Sequence, residues 1–229
     1  LVRSGSFLDQ EEMYAKADEA CVESKHQGRN QFVVCREYET GDERHPGLGY
    51  WASMLTDVLQ GGRLFLRCQP IVSTGGELSV SHYEILLGLH NSLDIQPAGF
   101  IRAAERWKRS ADIDQWVLRN SFNWIRENAP RLGSVGGFSI NLSGLSLVNE
   151  NVLDFIRTAL GAHDLPPEKI IFEITENAAI ERLEAAQGFI DEIKTYGCRF
   201  SLDDFGSGYS SFAYLKGLKV DYLKIDGSF

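Results

Sequence analysis

The sequence predicts an α/β fold whose parallel strands close, or nearly close, into a (β/α)8 TIM-like barrel. Apolar strand-like runs alternate with helix-length amphipathic segments, and a parallel strand connection needs such a crossover. Four of these runs are interrupted near their C-terminal ends by acidic or amide side chains, and a fifth by a lysine. They read His82-Tyr83-Glu84-Ile85-Leu86-Leu87, Phe138-Ser139-Ile140-Asn141-Leu142, Ile170-Ile171-Phe172-Glu173-Ile174-Thr175-Glu176, Phe200-Ser201-Leu202-Asp203-Asp204 and Val220-Asp221-Tyr222-Leu223-Lys224-Ile225-Asp226. An ionised carboxylate in such a run is costly to bury unless it is paired or holds a metal. Five instances at one rim favour a barrel with a metal and acid–base site over an open doubly wound sheet.

In chain order, residues 11–30 read as a helix with a small-residue face that ends at Gly28, and Gln31–Cys35 as a short strand. Residues 37–47 are polar, hold Gly and Pro and lack periodicity, which predicts a linker. A helix near 49–60 precedes strand 64–72, which carries Gln69-Pro70-Ile71, and then the strand with Glu84. Pro97 suits the first turn of a helix through Phe100, Ile101 and Ala104. A second helix, about 112–127, carries Ile113, Trp116, Val117, Phe122 and Trp124, and the gap from 84 to 141 has room for both. The gaps 141 to 173, 173 to 203 and 203 to 224 each suit one βα unit of roughly 30 residues. Between the second and third of these sites, 178–196 places Ile180, Leu183, Ile190 and Ile193 on one helix face, stopped by Gly197. A full barrel needs about 250 residues, more than 48–229 supplies, so the last strands are expected to be missing here.

The formal net charge of −9 argues against a sequence-independent nucleic-acid binder, which needs a basic stripe. It allows a phosphate-bearing substrate only if cations sit among the carboxylates. Cys21, Cys35, Cys68 and Cys198 form no CxxC pair, so reduced thiols in a cytoplasmic domain are expected rather than a zinc site or a disulfide framework. No apolar run reaches the roughly 20 residues that cross a bilayer. The chain starts at Leu1 and reads as a piece of a longer protein, whose other parts could include a membrane anchor.

Glu84-Ile85-Leu86, Asn141-Leu142-Ser143, Glu173-Ile174-Thr175-Glu176, Asp203 through Ser211 and Lys224-Ile225-Asp226, with Gln69-Pro70-Ile71 before them, resemble the ordered motifs of EAL domains. That family comprises bacterial phosphodiesterases for cyclic di-GMP, and the resemblance covers roughly residues 48–229. Residues 1–36, through Ala17-Asp18-Glu19-Ala20, Lys25 and Gly28-Arg29-Asn30, resemble the C-terminal end of a GGDEF domain, the diguanylate cyclase fold.

The resemblance implies that Glu84, Asn141, Glu173 and Asp203 bind a first metal and that Asp203 and Asp204 serve a second. An all-oxygen set of this kind selects Mg²⁺ or Mn²⁺ over zinc. Lys224 matches a lysine beside the nucleophilic water, and an ion pair with Asp203 or Glu173 is compatible with that role. Glu176 resembles the anchor of the Asp204–Ser211 loop. Gln69, Leu86 and Asp226 resemble substrate contacts, although ordinary core packing suits Leu86 equally. Gly88 departs from the family, whose members usually carry there an arginine that contacts a substrate phosphate. A further glutamate ligand of the second metal is expected beyond Phe229, so this chain as given is expected not to complete the two-metal site. The implied function is metal-dependent hydrolysis of cyclic di-GMP to linear pGpG. The alternatives are a cyclic di-GMP receptor without turnover and a regulatory scaffold that forms homodimers.

Overall fold

The computed structural model describes residues 55–75, 79–90, 97–206 and 214–227. The chain divides into two compact units at Gly47/Leu48, and all described residues belong to the second. The expected GGDEF-like end, the linker, the start of the helix near 49–60 and most of the Asp204–Ser211 loop lie outside the described residues.

The strands are β1 (Leu64–Val72), β2 (Val80–Leu89), β3 (Phe138–Leu142), β4 (Ile170–Thr175), β5 (Arg199–Phe205) and β6 (Tyr222–Ile225). They form one sheet in strict chain order, β1-β2-β3-β4-β5-β6. From β2 to β6 every neighbouring pair is parallel. Unbroken order without a reversal is how a barrel wall is laid down, since each right-handed crossover puts its helix on the same side. The parallel expectation fails at one place: β1 runs antiparallel to β2, as a hairpin. Only seven residues separate Val72 from Val80, too few for the crossover that a parallel pair requires.

The helices are α1 (Pro97–Arg106), α2 (Ser110–Asn128), α3 (Glu150–Gly161), α4 (Glu176–Glu181) and α5 (Leu183–Lys194). Two helices do fill the gap between Glu84 and Asn141, and Pro97 opens the first of them. The single helix expected over 178–196 is instead two. Arg182 leaves helical geometry at φ −134°, ψ 45°, and the break turns Ile180 out to 42% exposure while Ile190 and Ile193 stay fully buried. Gly197 ends α5 with φ +99°, a conformation glycine adopts without strain.

Strand pleating sorts the side chains. Phe138, Ile140, Ile170, Phe172, Ile174, Phe200 and Leu202 point to the helices and are essentially inaccessible. Phe172 packs on Phe200 at 5.5 Å between ring centroids, and Phe189 of α5 meets Phe200 edge-on at 6.1 Å. Each such ring contributes about 1.5–3 kcal/mol by leaving water. The opposite face carries Glu84, Asn141, Glu173, Asp203 and Lys224. A one-residue slip in any strand would exchange the two sets, so this core fixes the register of the site.

Candidate functional site

Four of the five singular side chains converge on one point, and the fifth is bonded to them. Lys224 Nζ donates to Glu173 Oε2 at 3.0 Å, to Asp203 Oδ2 at 3.0 Å and to Glu84 Oε2 at 3.2 Å. Asn141 Nδ2 donates to the other oxygen of Glu84 at 3.0 Å. Register explains the meeting. Asn141 is level with Glu173 across β3 and β4, and Thr175 is level with Asp203 across β4 and β5. Lys224 enters from β6 on the same face.

The electrostatics are unbalanced. One ammonium faces three carboxylates, of which Glu173 is 1% exposed and Asp203 and Glu84 are 23% and 17% exposed. Burial raises the Glu173 carboxyl above the usual range, and the Lys224 hydrogen bond pulls part of that back. Burial would lower the Lys224 ammonium, but the bonds and charges of Glu173, Asp203 and Glu84 win and raise it. Lys224 is thus held protonated, as a cation and donor rather than a base.

Asp204 continues from Asp203 on a left-handed backbone, φ 53°, and its N–H donates to Asp203 Oδ1 at 2.9 Å. This turn aims the two adjacent carboxylates differently. Burial and the nearby Asp203 and Asp226 raise the Asp204 carboxyl. Asp226 is half-buried and its N–H donates to Phe205 O at 3.1 Å. Gln69 lies opposite Glu84 in the β1–β2 hairpin and is exposed, and Leu86 is half-buried one pleat further along the same face. The register therefore places Gln69, Glu84, Leu86, Asn141, Glu173, Asp203 and Lys224 on one face, while Asp204 leaves the pleat at the end of β5.

Two features suit a hard divalent cation. The potential ligands Glu84, Asn141, Glu173, Asp203 and Asp204 offer oxygen only. Glu173 Oε1 is buried and has no hydrogen-bond partner among the described residues, a costly condition that a cation would relieve. No three acidic, histidine or cysteine side chains among the described residues already surround a single ion position. The carboxylates close on Lys224 instead, as like charges must do when the ammonium is the cation between them.

Glu176 is not the surface carboxylate that an isolated acid would more often be. It opens α4, whose cap Thr175 accepts from Ala178 N at 3.3 Å, and it is fully buried. Its Oε2 accepts from Gly206 N at 2.9 Å and its Oε1 from the Tyr214 hydroxyl. It therefore ties together both described ends of the segment that follows Asp204.

Asp114 of α2 escaped the sequence reading. It is buried and accepts from Ser143 N at 2.7 Å and Ser146 Oγ at 2.6 Å, which fixes the turn just after Asn141. Burial raises its carboxyl, against the pull of those serine bonds. Its signal was available: an acid among Ile113, Val117 and Leu118, on the apolar stripe of an amphipathic helix.

Residues 52–229 match the EAL domain. The chain is 34% identical over 225 residues to the cyclic di-GMP phosphodiesterase PdeB of Shewanella oneidensis, spanning 97% of this chain but 26% of that protein. The FimX EAL domain from Pseudomonas aeruginosa bound to c-di-GMP superposes with a TM-score of 0.68 at 32% identity, covering 78% of this chain and 72% of that one. The PaMucR phosphodiesterase in its c-di-GMP complex gives a TM-score of 0.70 at 30% identity, covering 77% and 72%. This chain therefore spans about a quarter of the curated relative's length. With the fold, the register of its acids and these likenesses in agreement, the chain belongs to the EAL domain family.

Proposed function

We propose that this chain is the phosphodiesterase domain of a protein that hydrolyses cyclic di-GMP to linear pGpG, with Mg²⁺ or Mn²⁺ as cofactor. The observation that carries the reading is the excess of negative charge around Lys224: three carboxylates on one ammonium, with a buried carboxylate oxygen unpartnered. A phosphodiester anion cannot approach that cluster until further cations compensate it. Two divalent ions, when bound, would activate a water, neutralise the phosphodiester and stabilise both attacking and leaving oxygens.

Glu84, Asn141, Glu173 and Asp203 would hold the first ion, and Asp203 with Asp204 the second. Lys224 donates into the cluster and, firmly protonated, orients a water or screens developing negative charge; it does not accept the proton. Glu176 keeps Asp204 in place through Gly206. Gln69, Leu86 and Asp226, on the same face, would line the substrate. The relatives' names support the substrate class. The likeness to a c-di-GMP-bound EAL domain whose name states no activity keeps the receptor as the second reading.

The test is product formation from cyclic di-GMP by the full protein. Linear pGpG should form with Mg²⁺ or Mn²⁺ and cease in excess chelator. Undiminished turnover in chelator would refute the metal-dependent mechanism. Tight binding without turnover in either metal would favour the receptor.

A further inference from the structure

Phe65, Arg67 and Gln69 of β1 lie opposite Gly88, Leu86 and Glu84 of β2. Directly opposed residues of an antiparallel pair share a face, so all three β1 side chains stand on the face that bears the acidic cluster. Toward the C-terminal end of β2, each two-residue step advances about 7 Å. Arg67 is therefore one step beyond the Gln69–Glu84 pair, at the rim where parallel sheets receive their ligands.

The distal edge of the Phe65 ring lies over Gly88. A Cβ at position 88 would come within 2.4 Å of Phe65 Cζ and 2.6 Å of Cε2, so the ring occupies the space a side chain there would need. His90 packs on that ring at 4.7 Å between centroids. The Arg67 guanidinium carbon sits 5.9 Å from the ring centroid, at cation–π distance.

Among the described residues Arg67 is exposed and makes no ion pair. Other cations of this face are engaged. Lys224 serves three carboxylates, while Arg199 donates to Gly136 O at 2.5 Å, Glu168 O at 2.7 Å and the Tyr222 hydroxyl at the far end of the strands. An unpaired guanidinium on an aromatic seat, at the mouth of an acidic site, is pre-organised for a phosphate oxygen.

We infer that Arg67, seated on Phe65 above Gly88, is a substrate-binding residue that holds a phosphate of the cyclic dinucleotide. This rests on the proposed function and identifies a binding group on the β1–β2 hairpin. The contact is made alike before and during reaction, so it acts on substrate affinity far more than on the chemical step.

The test is calorimetric titration of the full protein with cyclic di-GMP, Ca²⁺ replacing Mg²⁺ to slow turnover, alongside kcat and KM in Mg²⁺. Arg67→Gln should weaken binding about tenfold or more, roughly 1.4 kcal/mol, raise KM in proportion and change kcat less than about threefold. Arg67→Lys should fall between, because it keeps the charge and loses the fork. Phe65→Leu, which removes the seat but keeps an apolar side chain, should weaken binding by a smaller factor. Gly88→Arg should not tighten binding, since its side chain must displace the ring. Binding by Arg67→Gln within twofold of wild type, with the melting temperature unchanged, overturns the inference and leaves the proposed function standing. Failure of the wild-type protein to bind cyclic di-GMP overturns both.

Discussion

Glu173 and Glu176 are three residues apart, at the end of one strand and the start of the next helix, and both are buried to within 1%. Their surroundings differ completely. Glu176 has each oxygen met by a neutral donor, Gly206 N and the Tyr214 hydroxyl. Glu173 has one oxygen on a shared ammonium and one with no partner among the described residues. A carboxylate fully satisfied by its own fold acts as a fastener. One left incomplete beside other acids is poised for a ligand the fold does not supply. Burial alone does not separate the two, whereas hydrogen-bond accounting does.

The sharpest way to break this comparison is to neutralise each acid at constant volume. Glu173→Gln and Asp203→Asn should each lower turnover by at least about a hundredfold, roughly 2.7 kcal/mol of transition-state stabilisation. Their melting temperatures should stay level or rise, since each removes one like charge from a crowded cluster. If either variant kept more than a tenth of wild-type turnover, its assignment as a metal ligand would be wrong.

Glu176→Ala should show the opposite pattern, with loss of about 2–4 kcal/mol in denaturant unfolding, because Gly206 N and the Tyr214 hydroxyl lose their acceptor. Tyr214→Phe removes one of those donors and should cost about 1 kcal/mol. Turnover should fall with stability in both, as the segment carrying Asp204 loosens. A Glu176→Ala protein as stable as wild type but inactive would move Glu176 from fastener to direct participant.

The smallest effect should come from Asp114. Its carboxyl lies above the ordinary 3.8 because burial disfavours the charge. A raised folded-state pKa means that its stabilising contribution is fully present below 3.8 and is lost as pH rises through the higher folded value. Asp114→Asn keeps an acceptor for Ser143 N without the buried charge, so its stability relative to wild type should improve between acid and neutral pH. Melting curves across that range would check it; a flat difference would mean that Asp114 does not change its charge there.

The sequence by itself determined the alternation of strands and helices, the number of helices between Glu84 and Asn141, and the identity of the acids and lysine on the inner face. Period-two pleating and apolar runs are local properties, and a charged residue in such a run stands out at once. Tertiary structure alone decided the rest. The antiparallel hairpin of β1, the break at Arg182 and the burial of Asp114 depend on what each segment packs against. So does the meeting of Lys224 with three carboxylates from three different strands, which local pattern allows but cannot impose. The pairing of Phe65 with Gly88 is the clearest case. Glycine at 88 reads in sequence as the loss of an arginine, and only strand register shows that the vacated space is filled by a ring from another strand that seats the arginine beside it.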